Sequence, residues 1–215
     1  FYLTKLLLEN DKNLKLLLSF GFYSNSKDEI SKINKTEIMK KIKHEKIKFT
    51  CQQFIKNLKI IQKQQESPWG GPNVFFMSKL LSFAKKKNFK VAYNADGADE
   101  VFGGYKKYLL PLKLNNNAIE NNYFRTHIDG TKTGANSILK RGFEKKKIEY
   151  LDKIKVPSKS AIHNHRYLDI VYNKLPRNFR FSDRYSMNNS IELRYPFLDH
   201  ELIELSFDLN KNNLM

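Results

Sequence analysis

Three carboxylates lie within five positions in the stretch Asn94-Ala95-Asp96-Gly97-Ala98-Asp99-Glu100-Val101-Phe102-Gly103-Gly104-Tyr105. Hard oxygen donors this close together suit Mg2+, with a phosphate as co-ligand. The apolar run Val91-Ala92-Tyr93 just before them reads as a short buried strand. The residues after them read as a short helical turn ended by two glycines. Acids at the carboxyl end of a strand stand where open α/β sheets bind their ligands. Taken alone, the same acids could cap the helix and do nothing else, and an isolated acid-rich turn favours that simpler role.

A second segment sharpens the choice. In Asp183-Arg184-Tyr185-Ser186-Met187-Asn188-Asn189-Ser190-Ile191-Glu192-Leu193-Arg194-Tyr195-Pro196-Phe197-Leu198-Asp199-His200, the charges Asp183, Arg184, Glu192 and Arg194 are interleaved with apolar residues. Lone buried charges are costly, so Asp183, Arg184, Glu192 and Arg194 are expected to be partly buried and paired with one another. Asp199, ahead of a helical run with Leu202, Ile203 and Leu205, is an N-cap candidate. By itself this segment could be a packed helix-loop-helix with structural ion pairs.

The elements that must position these residues follow from periodicity and punctuation. Phe1 to Asn10 reads as the tail of a helix, with Leu3, Leu6 and Leu7 on one face. Leu14 to Tyr23 is a strand candidate. Ser26-Lys27-Asp28-Glu29 is a capping-box pattern opening a Lys-rich helix towards Ile42, and Lys46 to Phe49 a short strand. Thr50-Cys51-Gln52-Gln53 is a second capping box, opening a helix that carries Phe54, Ile55, Leu58 and Ile61. Pro68-Trp69-Gly70-Gly71-Pro72 is a rigid loop, and Pro72 suits the first turn of the helix with Phe75, Phe76, Leu80 and Phe83. The strand Lys90 to Tyr93 completes a strand-helix-strand-helix-helix-strand order, which predicts a parallel α/β layer. After Tyr105 the strand signals fade. Asn115-Asn116-Asn117 is a polar break, Asp129 to Gly134 a weak loop, and residues 118 to 210 read mostly as helices. The expected organisation is an α/β part over 1–105 and a mainly helical part over 106–215.

Together, the two segments resemble the asparagine synthetase-like amidotransferases in their ATP-dependent synthetase domain. The family motif Ser-Gly-(Asp/Glu)-Gly-(Ala/Ser)-Asp-Glu-x-Phe-Gly-Gly-Tyr stands here as Asn94 to Tyr105. Its companion, Asp-Arg-x-Ser-Met-x-x-Ser-x-Glu-x-Arg-x-Pro-Phe-Leu-Asp, stands as Asp183 to Asp199. Leu18-Ser19-Phe20-Gly21-Phe22 followed by Asp28-Glu29 resembles the family's second strand and the helix after it, and Gln65-Glu66-Ser67-Pro68 its Asp-Glu-Pro region. The resemblance implies an adenine nucleotide alpha hydrolase-like fold of the ATP-pyrophosphatase type. It also implies a two-step reaction: ATP activates a side-chain carboxylate as an acyl-adenylate, and ammonia then displaces AMP. By family match Asp99 is the Mg2+ ligand, and Asp96 orients the amine or takes its proton. Asn94, Ala95, Gly97 and Ala98 line the nucleotide and acceptor pocket, and Glu100 is structural.

The resemblance implies aspartate as acceptor, ATP and ammonia as co-substrates, a glutaminase domain upstream, and a homodimer among the assemblies open to it. Three departures stand out. Asn94 replaces the family's Ser and Ala95 its Gly, which opens a second acceptor class, a polysaccharide-sugar or antibiotic-precursor carboxylate. Ser67 stands where Glu is common. The family's Ser-Gly-Gly-x-Asp-Ser pyrophosphate loop is absent from these residues, as is its downstream catalytic Lys, so the 215 residues read as a piece truncated at both ends, without turnover of its own.

Composition bounds the rest. The net charge is +17, but the lysines are spread along the chain among many asparagines and isoleucines. Runs such as Lys85-Lys86-Lys87 and Lys145-Lys146-Lys147 look like solvated helix ends, so specific nucleic-acid binding is not expected. A basic binding module that kept the fold and lost catalysis is the competing reading from another class. Cys51 is the only cysteine, so there is no disulfide framework, and a reducing, cytoplasmic setting is expected. Nothing approaches a membrane span in length. His163 and His165, two apart, fall on different faces of a helix and do not read as a metal pair. Trp69 reads as loop packing, and Tyr105 and Tyr108 as core or interface aromatics.

Overall fold

A computed structural model describes residues 2–22, 41–105, 107–108 and 160–209. The Lys-rich helix expected between Ser26 and Ile42 falls largely outside them, as do the Asn115 break and the Asp129–Gly134 loop. The chain divides into two compact units. The first is Phe1–Ala95 with Arg177–Pro196, and the second is Asp96–Pro176 with Phe197–Met215. Residues 177–196, which the sequence assigns to the helical part, therefore pack with the first unit.

In the first unit, helix α1 (Tyr2–Asn10) leads into strand β1 (Leu16–Phe22). Strand β2 (Lys43–Phe49) pairs with β1 in parallel, Leu16 opposite Lys43 and Phe22 opposite Phe49. It begins three residues earlier than the alternation from Lys46 suggests. Helix α2 (Cys51–Gln65) opens on the expected capping box: Gln53 N donates to Thr50 Oγ1 at 3.2 Å, and Thr50 N donates to Gln53 Oε1 at 2.8 Å. Both ends of that exchange satisfy amides the helix cannot. Helix α3 (Asn73–Lys86) follows Pro72, whose φ of −70° already suits a helical entry. Strand β3 (Val91–Tyr93) comes next.

The core of this unit is aromatic. Phe75 and Phe76 of α3 are fully buried, and Phe20 stacks on Phe76 with ring centroids 4.7 Å apart. Each such burial contributes about 2–3 kcal/mol. Tyr185 and Ile191 belong to the same core. They come from helix α6 (Lys174–Met187), which enters this unit at Arg177, and from the turn after it. The sequence reading places no strand after residue 105, yet β4 (Glu192–Arg194) pairs in parallel with β3, with Leu193 opposite Ala92. Three residues with a charge at each end give periodicity nothing to detect; the ladder is made by the partner strand. The fold is thus α/β with parallel strands and flanking helices.

The second unit is built from the short helix α4 (Ala98–Phe102), helix α5 (Ala161–Val171), the 3-10 turn Pro196–Leu198, of which Phe197 and Leu198 belong here, and helix α7 (His200–Asp208). Asp199 caps α7 as expected, accepting from Glu201 N at 3.0 Å and Leu202 N at 3.3 Å. Its core holds Tyr108 and Ile162. Among the described residues no helix is long and apolar enough to cross a membrane.

Candidate active site

The chain leaves β3 at Asn94, whose backbone N donates to Arg194 O at 2.8 Å, so the β3–β4 ladder continues one residue past the strand. Asn94 is half-buried and Ala95 exposed. Both line a cavity of about 1020 Å³ within the first unit, bounded by α1, β1, one face of α3 and β3. Its walls are largely aliphatic and aromatic, with Leu18, Phe20, Leu80 and Tyr93 among them. Such a space suits a flat heterocycle, and its volume is ample for a nucleotide base and ribose.

The remaining acid-turn residues belong to the second unit. Gly97 caps α4 with φ +96°, a conformation only glycine takes without strain. A Cβ there would also overlap the Leu198 side chain. Phe102, at the other end of α4, meets Phe197 edge-on at 6.1 Å. Within the second unit the acid turn thus rests on Phe197 and Leu198 of the second sequence segment. The two segments meet in each unit separately: as the β3–β4 ladder in the first, and as Gly97 on Leu198 and Phe102 on Phe197 in the second.

The three acids have different surroundings. Asp99 is exposed, and its carboxylate folds over Gly104, using the space a Cβ would fill. Asp96 is half-buried. Glu100 is buried and forms an ion pair with Lys174 at 3.5 Å. Burial raises its pKa above the ordinary carboxylate value, and Lys174 opposes that shift. Lys174 is itself pulled down by burial, and its ammonium lies 3.3 Å from the Tyr105 ring centre. The Tyr105 phenol is pushed up, first by burial and then by the Glu100 and Asp99 carboxylates. Glu100 is therefore spoken for by its ion pair with Lys174, while Asp99 is the exposed acid of the turn, its carboxylate lying beside Gly104 and the Tyr105 phenol. Among the described residues no three His, Cys, Asp or Glu side chains converge as a metal cage. Mg2+ does not require one: it binds through one or two carboxylates and completes its shell with substrate phosphates and water. Asp99, with Gly104 leaving it room, fits as one such ligand.

The second segment is less buried than its pattern suggests. Arg194 pairs with Glu192 at 2.7 Å, as expected, but both are more than half exposed. Arg184 pairs instead with Glu66 at 3.0 Å, also at the surface. The buried polar residues of this region are Ser182, Ser186 and Asn189. Small hydroxyls and amides can be satisfied by nearby backbone, as when Asn189 Nδ2 donates to Tyr185 O at 2.7 Å, whereas a guanidinium is cheaper to leave in water. Arg180 of α6, not singled out by the sequence, donates to Ser67 Oγ and, at 2.9 Å, to Pro68 O, fixing the loop after α2. Trp69, within that loop, packs back on α2: its ring meets Phe54 edge-on at 6.3 Å and its Nε1 donates to Gln62 Oε1 at 3.0 Å.

Sequence reading also passed over Arg166. It is fully buried on α5, with Ile162 one turn before it and Asp169 nearly one turn after it, both also buried. An arginine in register with a buried stripe is the signal that could have found it. Burial draws its pKa down to about 10.

The asparagine synthase family model matches residues 10–215, almost the whole chain. The chain belongs to the asparagine synthase family. No curated protein matches it. Members of the asparagine synthase family are ATP-dependent, amide-forming ligases, and the two segments that carry the family pattern here are those the structure packs against each other.

Proposed function

We propose that this protein is the synthetase part of an amidotransferase that converts a side-chain carboxylate to an amide, with aspartate as acceptor and asparagine as product. The observation that carries the reading is the packing of the acid turn on the Asp183–Asp199 segment, through the β3–β4 ladder and through Leu198 under Gly97. In the first step a carboxylate oxygen attacks the α-phosphorus of ATP and pyrophosphate leaves. In the second, ammonia attacks the acyl carbon and AMP leaves with the bonding electron pair. Mg2+, when bound, screens the phosphates so that an anionic carboxylate can approach an anionic nucleotide.

The chain's own residues do the rest. Asp99 supplies a hard oxygen for the metal. Asp96 orients the incoming amine and takes its proton. Gly97 keeps the turn low enough for substrate to approach the backbone. The apolar cavity beside Asn94 and Ala95 receives the base, in keeping with an adenine nucleotide alpha hydrolase-like fold. Ammonia comes from a glutaminase domain elsewhere in the full-length protein. Full-length protein supplied with ATP, Mg2+, aspartate and ammonia is expected to form AMP and pyrophosphate in step with asparagine. If AMP formation shows no dependence on aspartate, asparagine synthesis is ruled out.

A second acceptor is favoured by one observation. Asn94 and Ala95 line the cavity where the family pattern has Ser and Gly, and a larger side chain there reshapes the pocket. A sugar or antibiotic-precursor carboxylate would then stimulate pyrophosphate release where aspartate does not.

A further inference from the structure

Helix α4 is five residues long, far too short to hold itself together. Its last carbonyls have no partners within the helix. Asp99 O accepts from Gly103 N and Gly104 N. Glu100 O and Val101 O are taken by a residue remote in sequence: Arg166 Nε donates to Glu100 O at 3.1 Å, and Arg166 Nη2 donates to Val101 O. The same guanidinium is tied to α7. Nη1 donates to Ser206 O at 3.2 Å and Nη2 to Ser206 Oγ at 2.6 Å, while its face lies 4.4 Å from the Phe207 ring centre. Every acceptor named is a neutral carbonyl or hydroxyl. A buried cation without a carboxylate partner is an expensive way to fill space, and an apolar side chain of the same length would fill it at less cost. What the guanidinium adds is a rigid fork of donors aimed at the carboxyl end of α4, where a positive charge also meets the helix dipole favourably.

We propose that Arg166 is a positioning residue, clamping α4 to α7 so that the Asp99 carboxylate is held in one place. The role for Asp99 rests on the ligase reading above; the clamp itself does not. The turn is thereby held at both ends: Leu198 packs under Gly97 at one end of α4, and Arg166 holds the other.

Hydrogen exchange on the full chain tests the clamp without any turnover. The reporters are the Val101 amide, bonded to Gly97 O at 2.8 Å, and the Gly104 amide, bonded to Asp99 O at 2.9 Å. In Arg166→Met these two amides are expected to exchange about tenfold faster, while the β1–β2 ladder exchanges as before. Arg166→Lys, which keeps a donor and the charge, should restore part of the protection. If the Met variant does not fold, Ser206→Ala, which loosens the anchor and leaves Arg166 in place, should accelerate the same two amides to a smaller degree. In the amidation assay, Arg166→Lys is expected to raise the Mg2+ concentration at half-maximal rate while leaving the acceptor KM unchanged. Unchanged exchange at Val101 and Gly104, or equal acceleration throughout both units, overturns the clamp. Local acceleration in a protein with no Mg2+-dependent pyrophosphate release would leave the clamp standing and sink the ligase reading.

Discussion

At the scale of residues, one acid turn contains three carboxyls in three states. In the proposed reaction exposed Asp99 and half-buried Asp96 serve different halves, so their variants should separate. Asp96→Asn is expected to lower amide formation by about 10²-fold or more while ATP–pyrophosphate exchange continues. Asp99→Asn should suppress both. Equal loss of the two activities in Asp96→Asn would remove it from the amine step. Glu100 answers to pH instead. Its pKa is higher in the folded protein, so it favours folding below its unfolded pKa, and that contribution is lost as pH rises through the folded value. Glu100→Gln should therefore flatten the decline in stability above the ordinary carboxylate range. Urea midpoints measured from about pH 4 to about pH 8 check this, and parallel curves for the two proteins would refute it. Gly97→Ala combines a left-handed backbone with overlap on Leu198 and should cost about 1–3 kcal/mol in the same titration.

At the scale of elements, legibility in the sequence follows how local the cause is. The capping box at Thr50 and Gln53 is written within four residues, and it formed where expected. Thr50→Ala should cost about 1 kcal/mol, read from a denaturant midpoint. The acid turn and its glycines were likewise visible, because their signal is residue type at fixed spacing. Strand β4 was not, since only its partner β3, remote in sequence, makes Glu192–Arg194 a strand. Charge pairing was half legible: Glu192 and Arg194 lie close in sequence and pair, whereas Arg184 found Glu66 across a distance no pattern encodes. Arg166 was missed for the same reason, its acceptors lying on two other helices. Ile191, fully buried just before β4, ties that strand to the aromatic core, and Ile191→Ala should destabilise the first unit by about 2–5 kcal/mol. A loss well under that range would mean β4 is held by its ladder and not by packing.

At the scale of the whole molecule, the charge of +17 is the feature most easily over-read. It predicts loose association with any polyanion at low salt and no specific site. Filter binding to RNA should be weak and should collapse between about 50 and 200 mM salt, since such affinity is counterion release. Tight, salt-resistant binding would revive the reading of the chain as a basic binding module.

The division of the chain into units also bears on synthesis. The first unit needs residues 177–196, so the first 95 residues leave the ribosome without Tyr185, Ile191 and strand β4. Elongation at about 5–20 residues per second makes that wait on the order of ten seconds. For that interval the nascent chain carries an unfinished aromatic core and an unpaired β3 edge. A premature stop after Pro176 would make the condition permanent, and a chaperone's claim on this protein should fall once residue 196 has emerged.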